Sequence, residues 1–265
     1  MKTELYYFTG TGNSLHIAKS IKKNLEKMNQ DALLIPINTL KLSNVISSTA
    51  DRIGIIYPTY GLTAPDLVKS FAKKLQVSNQ AYVFLYSHCG KMGADNALYA
   101  IQKILNDNGI LVSNTYESKF PSNAAMFATT PQQLEDDLKI AEESLQEHSK
   151  SIVNQNVRKI ATPNTIKNIS FSINESFGAL ADSILQFSNI ESNDDCIGCS
   201  VCVKVCPMEN IKLENQRPTY GNKCEMCLSC VNQCPKKALS YKKMKKEKLI
   251  SYRHPEVQLK EIMYR

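Results

Sequence analysis

Eight of the nine cysteines of this 265-residue chain lie between Cys196 and Cys234, in two copies of one pattern. Cys196, Cys199, Cys202 and Cys206 precede Pro207, and 28 residues further on Cys224, Cys227, Cys230 and Cys234 precede Pro235. Both copies read C-x2-C-x2-C-x3-C-P. Crowding of this kind, behind an N-terminus with no secretory signature, predicts metal ligation rather than disulfides. Zinc also takes four thiolates, but its sites join paired C-x2-C knuckles and have no use for a doubled triplet ending in Cys-Pro. Three thiolates at this spacing wrap one face of an iron–sulfur cubane, and the fourth reaches the cluster of the other repeat. Crossed ligation is therefore expected: Cys196, Cys199, Cys202 and Cys234 for one cluster, Cys224, Cys227, Cys230 and Cys206 for the second. Ile197, Val201, Ile211, Met226, Leu228 and Leu239 are expected to supply a dry shell.

The segment resembles the bacterial-type two-cluster ferredoxins over about 45 residues, which implies two one-electron 4Fe-4S centres of low potential. Charge fits that resemblance. The formal net charge is +7, yet residues 1–230 hold 22 basic and 22 acidic side chains, while residues 231–265 hold 10 and 3. The excess lies in the tail, at Lys236, Lys237, Lys242, Lys243, Lys245, Lys246 and Lys248 among others. Two oxidised cubanes, each about −2 with its thiolates, remove most of it, which leaves a nucleic-acid partner without footing. The basic run is either a solvated tail or a docking surface for an acidic redox protein beside the clusters.

The chain is 43% apolar and 22% charged, with no apolar run near the roughly 18 residues of a membrane helix. Met1 to Phe8 is too short for a secretory core and no small-residue cleavage site follows, so a cytoplasmic protein is expected. From residue 1 to 150, short β-rich runs alternate with helical stripes, the pattern of a parallel sheet with crossover helices. Five strands are predicted, at Thr3–Phe8, Ala32–Pro36, Arg52–Tyr57, Ala81–Ser87 and Ile110–Ser118. Helices are predicted from Asn13 to Met28, from Pro65, from Ala94 to a stop at Gly109, and from Pro131. Residues 37–51 carry no clear stripe. Residues 151–195 read as an ordered connector, with a weak strand at Ile169–Ile173 and a helical stripe of Phe177, Leu180, Ala181, Ile184 and Leu185.

After the first strand, Thr9-Gly10-Thr11-Gly12-Asn13-Ser14 opens directly into a helix. Glycines let the backbone curl around an anion, and the helix N-terminus aims N–H groups and its dipole at it. No Lys-Ser/Thr pair follows, so this is not a Walker loop, and Leu15 stands where a Rossmann series needs its third glycine. The run Phe8 to Ser14 resembles the flavodoxin phosphate loop, and the five-strand pattern fits the doubly wound fold of that family. The resemblance implies FMN, with further contacts from loops at the carboxyl edge of the sheet. These are Pro58-Thr59-Tyr60-Gly61, whose tyrosine would stack on the ring, Ser87-His88-Cys89-Gly90, and the loop Phe120-Pro121-Ser122-Asn123, which would cover it. Unlike ordinary flavodoxins, the chain has no Trp.

Together the two resemblances match fused proteins in which a flavodoxin-like domain precedes a two-cluster ferredoxin. The expected organisation is an FMN domain at 1–150, a connector at 151–195, a small α+β ferredoxin domain at 196–240 and a basic tail at 241–265. The implied function is electron transfer between clusters and FMN on behalf of redox partner proteins. The alternative is a flavin-dependent reductase of a quinone, nitro compound or similar acceptor, for which His88 and Asn123 would contact substrate.

Overall fold

The computed structural model describes residues 1–40, 44–61, 63–77, 80–90, 93–123, 129–158, 190–241 and 251–264. Five parallel strands form the main sheet: β1 (Thr3–Tyr7), β2 (Ala32–Pro36), β4 (Arg52–Pro58), β6 (Tyr82–Cys89) and β7 (Asn114–Lys119). Their spatial order is β2-β1-β4-β6-β7. Counted in chain order within the sheet, that is 2-1-3-4-5, the flavodoxin-like winding, whose switch point lies at the carboxyl ends of the first and third strands. The short strands β3 (Ile46–Ser48) and β5 (Leu75–Val77) pair with each other in parallel outside this sheet. Strand β3 accounts for part of the stretch in which no helical stripe was visible.

Alternation along the central strands fills two cores. Tyr6, Phe8, Ile53, Ile55, Tyr57, Val83 and Leu85 pack toward α2 (Asp66–Lys74) and α3 (Asp95–Asp107). Leu5, Tyr7, Ile56, Phe84 and Tyr86 face α1 (Asn13–Glu26) and α4 (Pro131–Val153). Gly109, with φ of 77°, follows α3 as the expected left-handed stop. The last strand starts at Asn114 rather than Ile110, and β6 runs on through Cys89, so Ser87, His88 and Cys89 are strand residues rather than a loop.

The 28-residue repeat survives as a local two-fold. Ser200 and Leu228 both take left-handed backbone conformations, at φ of 61° and 56°, just before α5 (Val201–Lys204) and α6 (Ser229–Gln233). Strand β8 (Ile190–Ser192) pairs antiparallel with β11 (Leu239–Tyr241), and β9 (Ile211–Glu214) with β10 (Arg217–Tyr220). The small domain therefore begins before its first cysteine. The predicted connector strand and helical stripe lie outside the described residues, as do Lys242 to Lys248.

Residues 251–264 do not extend as a solvated tail. They return to the first domain and bury Tyr252, His254, Val257 and Ile262. The apolar residues spaced along this segment were outweighed in the sequence by the lysines preceding it. Among the described residues no helix is long and apolar enough to cross a membrane.

Candidate functional site

The eight repeated cysteines gather into two groups of four around separate cavities. Cys196, Cys199, Cys202 and Cys234 line one, with Gly198, Val201 and Leu239. Cys206, Cys224, Cys227 and Cys230 line the other, with Ile190, Ile211 and Leu228. Each group thus takes three cysteines from one repeat and the fourth from the other. The cradle repeats too: the Asn210 amide donates to Cys206 Sγ at 3.3 Å, and 28 residues on the Ala238 amide donates to Cys234 Sγ at 3.3 Å. Burial pushes the Cys202 thiol up to about 11 and the Cys230 thiol well above its ordinary value. A thiol buried in this way becomes a thiolate only beside a cationic centre, which suits a metal-ligating role for these cysteines. Of the expected shell, Ile211, Leu228 and Leu239 are buried, whereas Ile197 is 57% exposed.

At the carboxyl edge of the main sheet, the Thr9–Ser14 loop caps α1. Gly12 is the N-cap at φ of 105°, a conformation that favours glycine. Its amide donates to Thr9 Oγ1 at 3.0 Å. The Thr11 hydroxyl accepts from Asn123 Nδ2 at 3.2 Å, so both threonine hydroxyls keep their own proton to donate. Among the described residues, the amides of Gly10, Thr11, Asn13, Ser14 and Leu15 donate to no protein acceptor. Five unpaired N–H groups at a helix N-terminus form an anion cradle.

The other expected contacts divide. Register places Pro58 opposite His88, which brings the ends of β4 and β6 together beside the cradle. The Thr59 amide donates to the His88 carbonyl at 2.8 Å, and the Thr59 and Ser87 hydroxyls lie 3.1 Å apart. Tyr60 is half-buried, edge-on to Phe8, while Gly61 is exposed at φ of 53°. Gly90 sits against the third loop, since a Cβ there would lie 2.9 Å from Ser122 Cβ. Side chains along β6 alternate, and this separates His88 from Cys89. His88 Nε2 meets Ser14 Oγ at 2.9 Å, and burial pushes its ring down to about 3, so it stays neutral. The Cys89 thiol turns the other way, toward Glu117 at 3.4 Å, and burial followed by that carboxylate pushes it up to about 12. Cys89 thus packs into the core on the α2 and α3 side of the sheet. Asn13 is committed as well: its Nδ2 donates to the Pro121 carbonyl at 3.2 Å, and its Oδ1 accepts from Tyr252 at 2.6 Å.

Two features were missed by the sequence reading. The C-terminal segment straps the cradle: the His254 amide donates to the Thr11 carbonyl at 2.9 Å, and Tyr264 Oη donates to the Thr9 carbonyl at 3.1 Å. The small domain also docks beside it. The Glu225 carboxylate accepts from the Asp66 and Leu67 amides, at 3.0 and 2.8 Å, at the start of α2.

Residues 188–235 match the family model of the 4Fe-4S dicluster domain. An azoreductase from Bacillus anthracis str. Sterne aligns over 58% of this chain and all of its own, at 12% identity and a TM-score of 0.43. A flavodoxin from Streptococcus pneumonia TIGR4 aligns over 56% of this chain and 99% of its own, at 15% identity and a TM-score of 0.38. A flavodoxin from the domain Archaea aligns over 57% and 99%, at 18% and 0.36. No curated protein matches the chain. The fold assignment rests on strand order. The chain joins a flavodoxin-like α/β domain to a 4Fe-4S ferredoxin domain, an architecture of redox proteins.

Proposed function

We propose that the chain holds two 4Fe-4S clusters and one FMN and transfers electrons between them for redox partner proteins. The observation that carries this reading is the meeting of the two sites. Cys227, a ligand of the second cavity, belongs to the buried side chains of the first domain, and its carbonyl accepts from Asn123 beside the anion cradle. FMN, when bound, would couple two one-electron deliveries into one two-electron event, and the clusters would supply those electrons singly.

The chain's own residues bind, orient and insulate. The amides of Thr11, Asn13, Ser14 and Leu15 and the hydroxyls of Thr9 and Thr11 would hold the terminal phosphate. Tyr60, with the backbone at Gly61 and Gly90, borders the space for the ring, and the strap excludes water from the loop. With His88 and Cys89 uncharged, neither supplies a proton near neutral pH. Anaerobic purification, with iron, sulfide and flavin counted per chain and the visible spectrum recorded, tests the reading. Eight iron atoms, eight sulfides and one FMN are expected. Zinc in their place, or no flavin after incubation with FMN, would overturn it. Reduction of a small acceptor is the other use of such a flavin and would show as turnover without a protein partner.

A further inference from the structure

The two four-cysteine sites stand in unequal relation to the cradle. The second is built into the first domain. Cys227 is 8% exposed within the core shared with Phe8, Tyr57 and Val68. A Cβ on Gly10 would lie 2.6 Å from the Cys227 carbonyl oxygen and 2.8 Å from Tyr60 Oη, so the cysteine backbone, the cradle and the ring-side tyrosine share one point of contact. Asn123 Nδ2 donates both to that carbonyl and to Thr11 Oγ1, each at 3.2 Å. Glu225, between two ligands of the same site, fixes the docking through the α2 amides. The first site faces outward. Cys199 is exposed, Ile197 beside it is 57% exposed, and among the described residues no hydrogen bond joins 196–202 to the first domain.

We propose that the clusters work in a fixed order. The Cys196/Cys199/Cys202/Cys234 site exchanges electrons with an external one-electron donor protein, and the Cys206/Cys224/Cys227/Cys230 site exchanges them with the flavin. Asn123 is the positioning residue between the second site and the cradle. The order rests on the two-cluster and FMN reading above. Tunnelling falls steeply with distance, so an outward cluster without contact with the cradle serves the flavin only through the inward one. Two donor molecules are each oxidised by one electron, and one flavin takes up those two electrons with two protons from water.

The test uses the full chain, after the cofactors have been counted. A missing flavin or second cluster sinks the function proposed above; a full complement leaves the order to be judged alone. The readout is the flavin midpoint potential by spectroelectrochemistry. Each cluster with its thiolates is an anion of about −2, and a nearby anion disfavours electrons on the flavin. Cys224→Ala, which removes the inward cluster, should raise the flavin potential, whereas Cys199→Ala should leave it unchanged. A larger shift from Cys199→Ala would reverse the order. Asn123→Ala keeps every cysteine and decides the matter if Cys224→Ala costs both clusters. After flash reduction of the clusters, flavin reduction should slow about three-fold or more with both cluster potentials unmoved. An unchanged rate would overturn the assignment.

Discussion

At Gly10 the absence of a side chain serves another domain rather than the glycine's own turn. An added methyl would meet the Cys227 carbonyl at 2.6 Å, closer than any Cβ contact tolerates, and backbone cannot swing away as a side-chain tip can. Gly10→Ala should therefore cost about 1–3 kcal/mol, the usual range for overpacking, in anaerobic denaturant unfolding. An unmoved midpoint would mean that the domains do not meet there. Two histidines give the pH counterpart. Burial holds His88 and His254 down to about 3, against an ordinary value near 6.5. The unfolded chain binds their protons first, so the stability of the neutral buried rings is complete above about pH 6.5 and is lost as pH falls toward 3. Each contributes a slope of about 1.4 kcal/mol per pH unit inside that window. Wild type should lose about 1.4 kcal/mol more than His88→Gln between pH 7.5 and 5.5, and equal losses would refute the buried neutral ring. The turn that opens α1 was legible because glycine, hydroxyl and helix start sit together in seven positions. The opposed directions of His88 and Cys89 were not, because the strand's continuation through Cys89 carries no signal in the sequence.

Among elements, α2 begins without a side-chain cap of its own, at Pro65. Its first amides are taken by Glu225, 158 residues away in sequence for Leu67. Anions at helix N-termini contribute roughly 0.3–1 kcal/mol, and somewhat more when partly buried. Glu225→Gln should lower stability by about 1 kcal/mol and raise amide exchange at Asp66 and Leu67; protection equal to wild type would show that the cap is not formed. All five main strands and four helices of the first domain were visible as periodic runs, because each is long enough to bury a face. The pair β3 and β5 was not, since three residues carry no readable period. The strap was hidden for a different reason: Tyr252, Val257 and Ile262 touch a surface assembled from the opposite end of the chain.

In the whole molecule, each four-cysteine group draws one thiol from the other repeat, and this predicts an unequal response to one lost thiol. Cys234 shares its cavity with Cys196, Cys199 and Cys202. Cys234→Ala should damage that cluster and spare the one held by Cys224, Cys227 and Cys230, as seen in the EPR spectrum of the reduced chain. Loss of the second cluster alone would mean that each repeat ligates its own iron. The grouping of each fourth cysteine with the other repeat was readable before any coordinates, because the doubled Cys-Pro pattern resembles that of two-cluster ferredoxins. How the domains meet was not readable, because Glu225, Asn123 and Gly10 form no motif until the fold brings them together.

The strap also imposes a timetable. Tyr252 closes on Asn13 across 239 residues of chain. At about 5–20 residues per second, a ribosome makes Asn13 roughly 12–48 s before it makes Tyr252. The covered form of the loop therefore cannot assemble until residue 252 has been made, so its cover is a late event of folding however early the loop itself emerges.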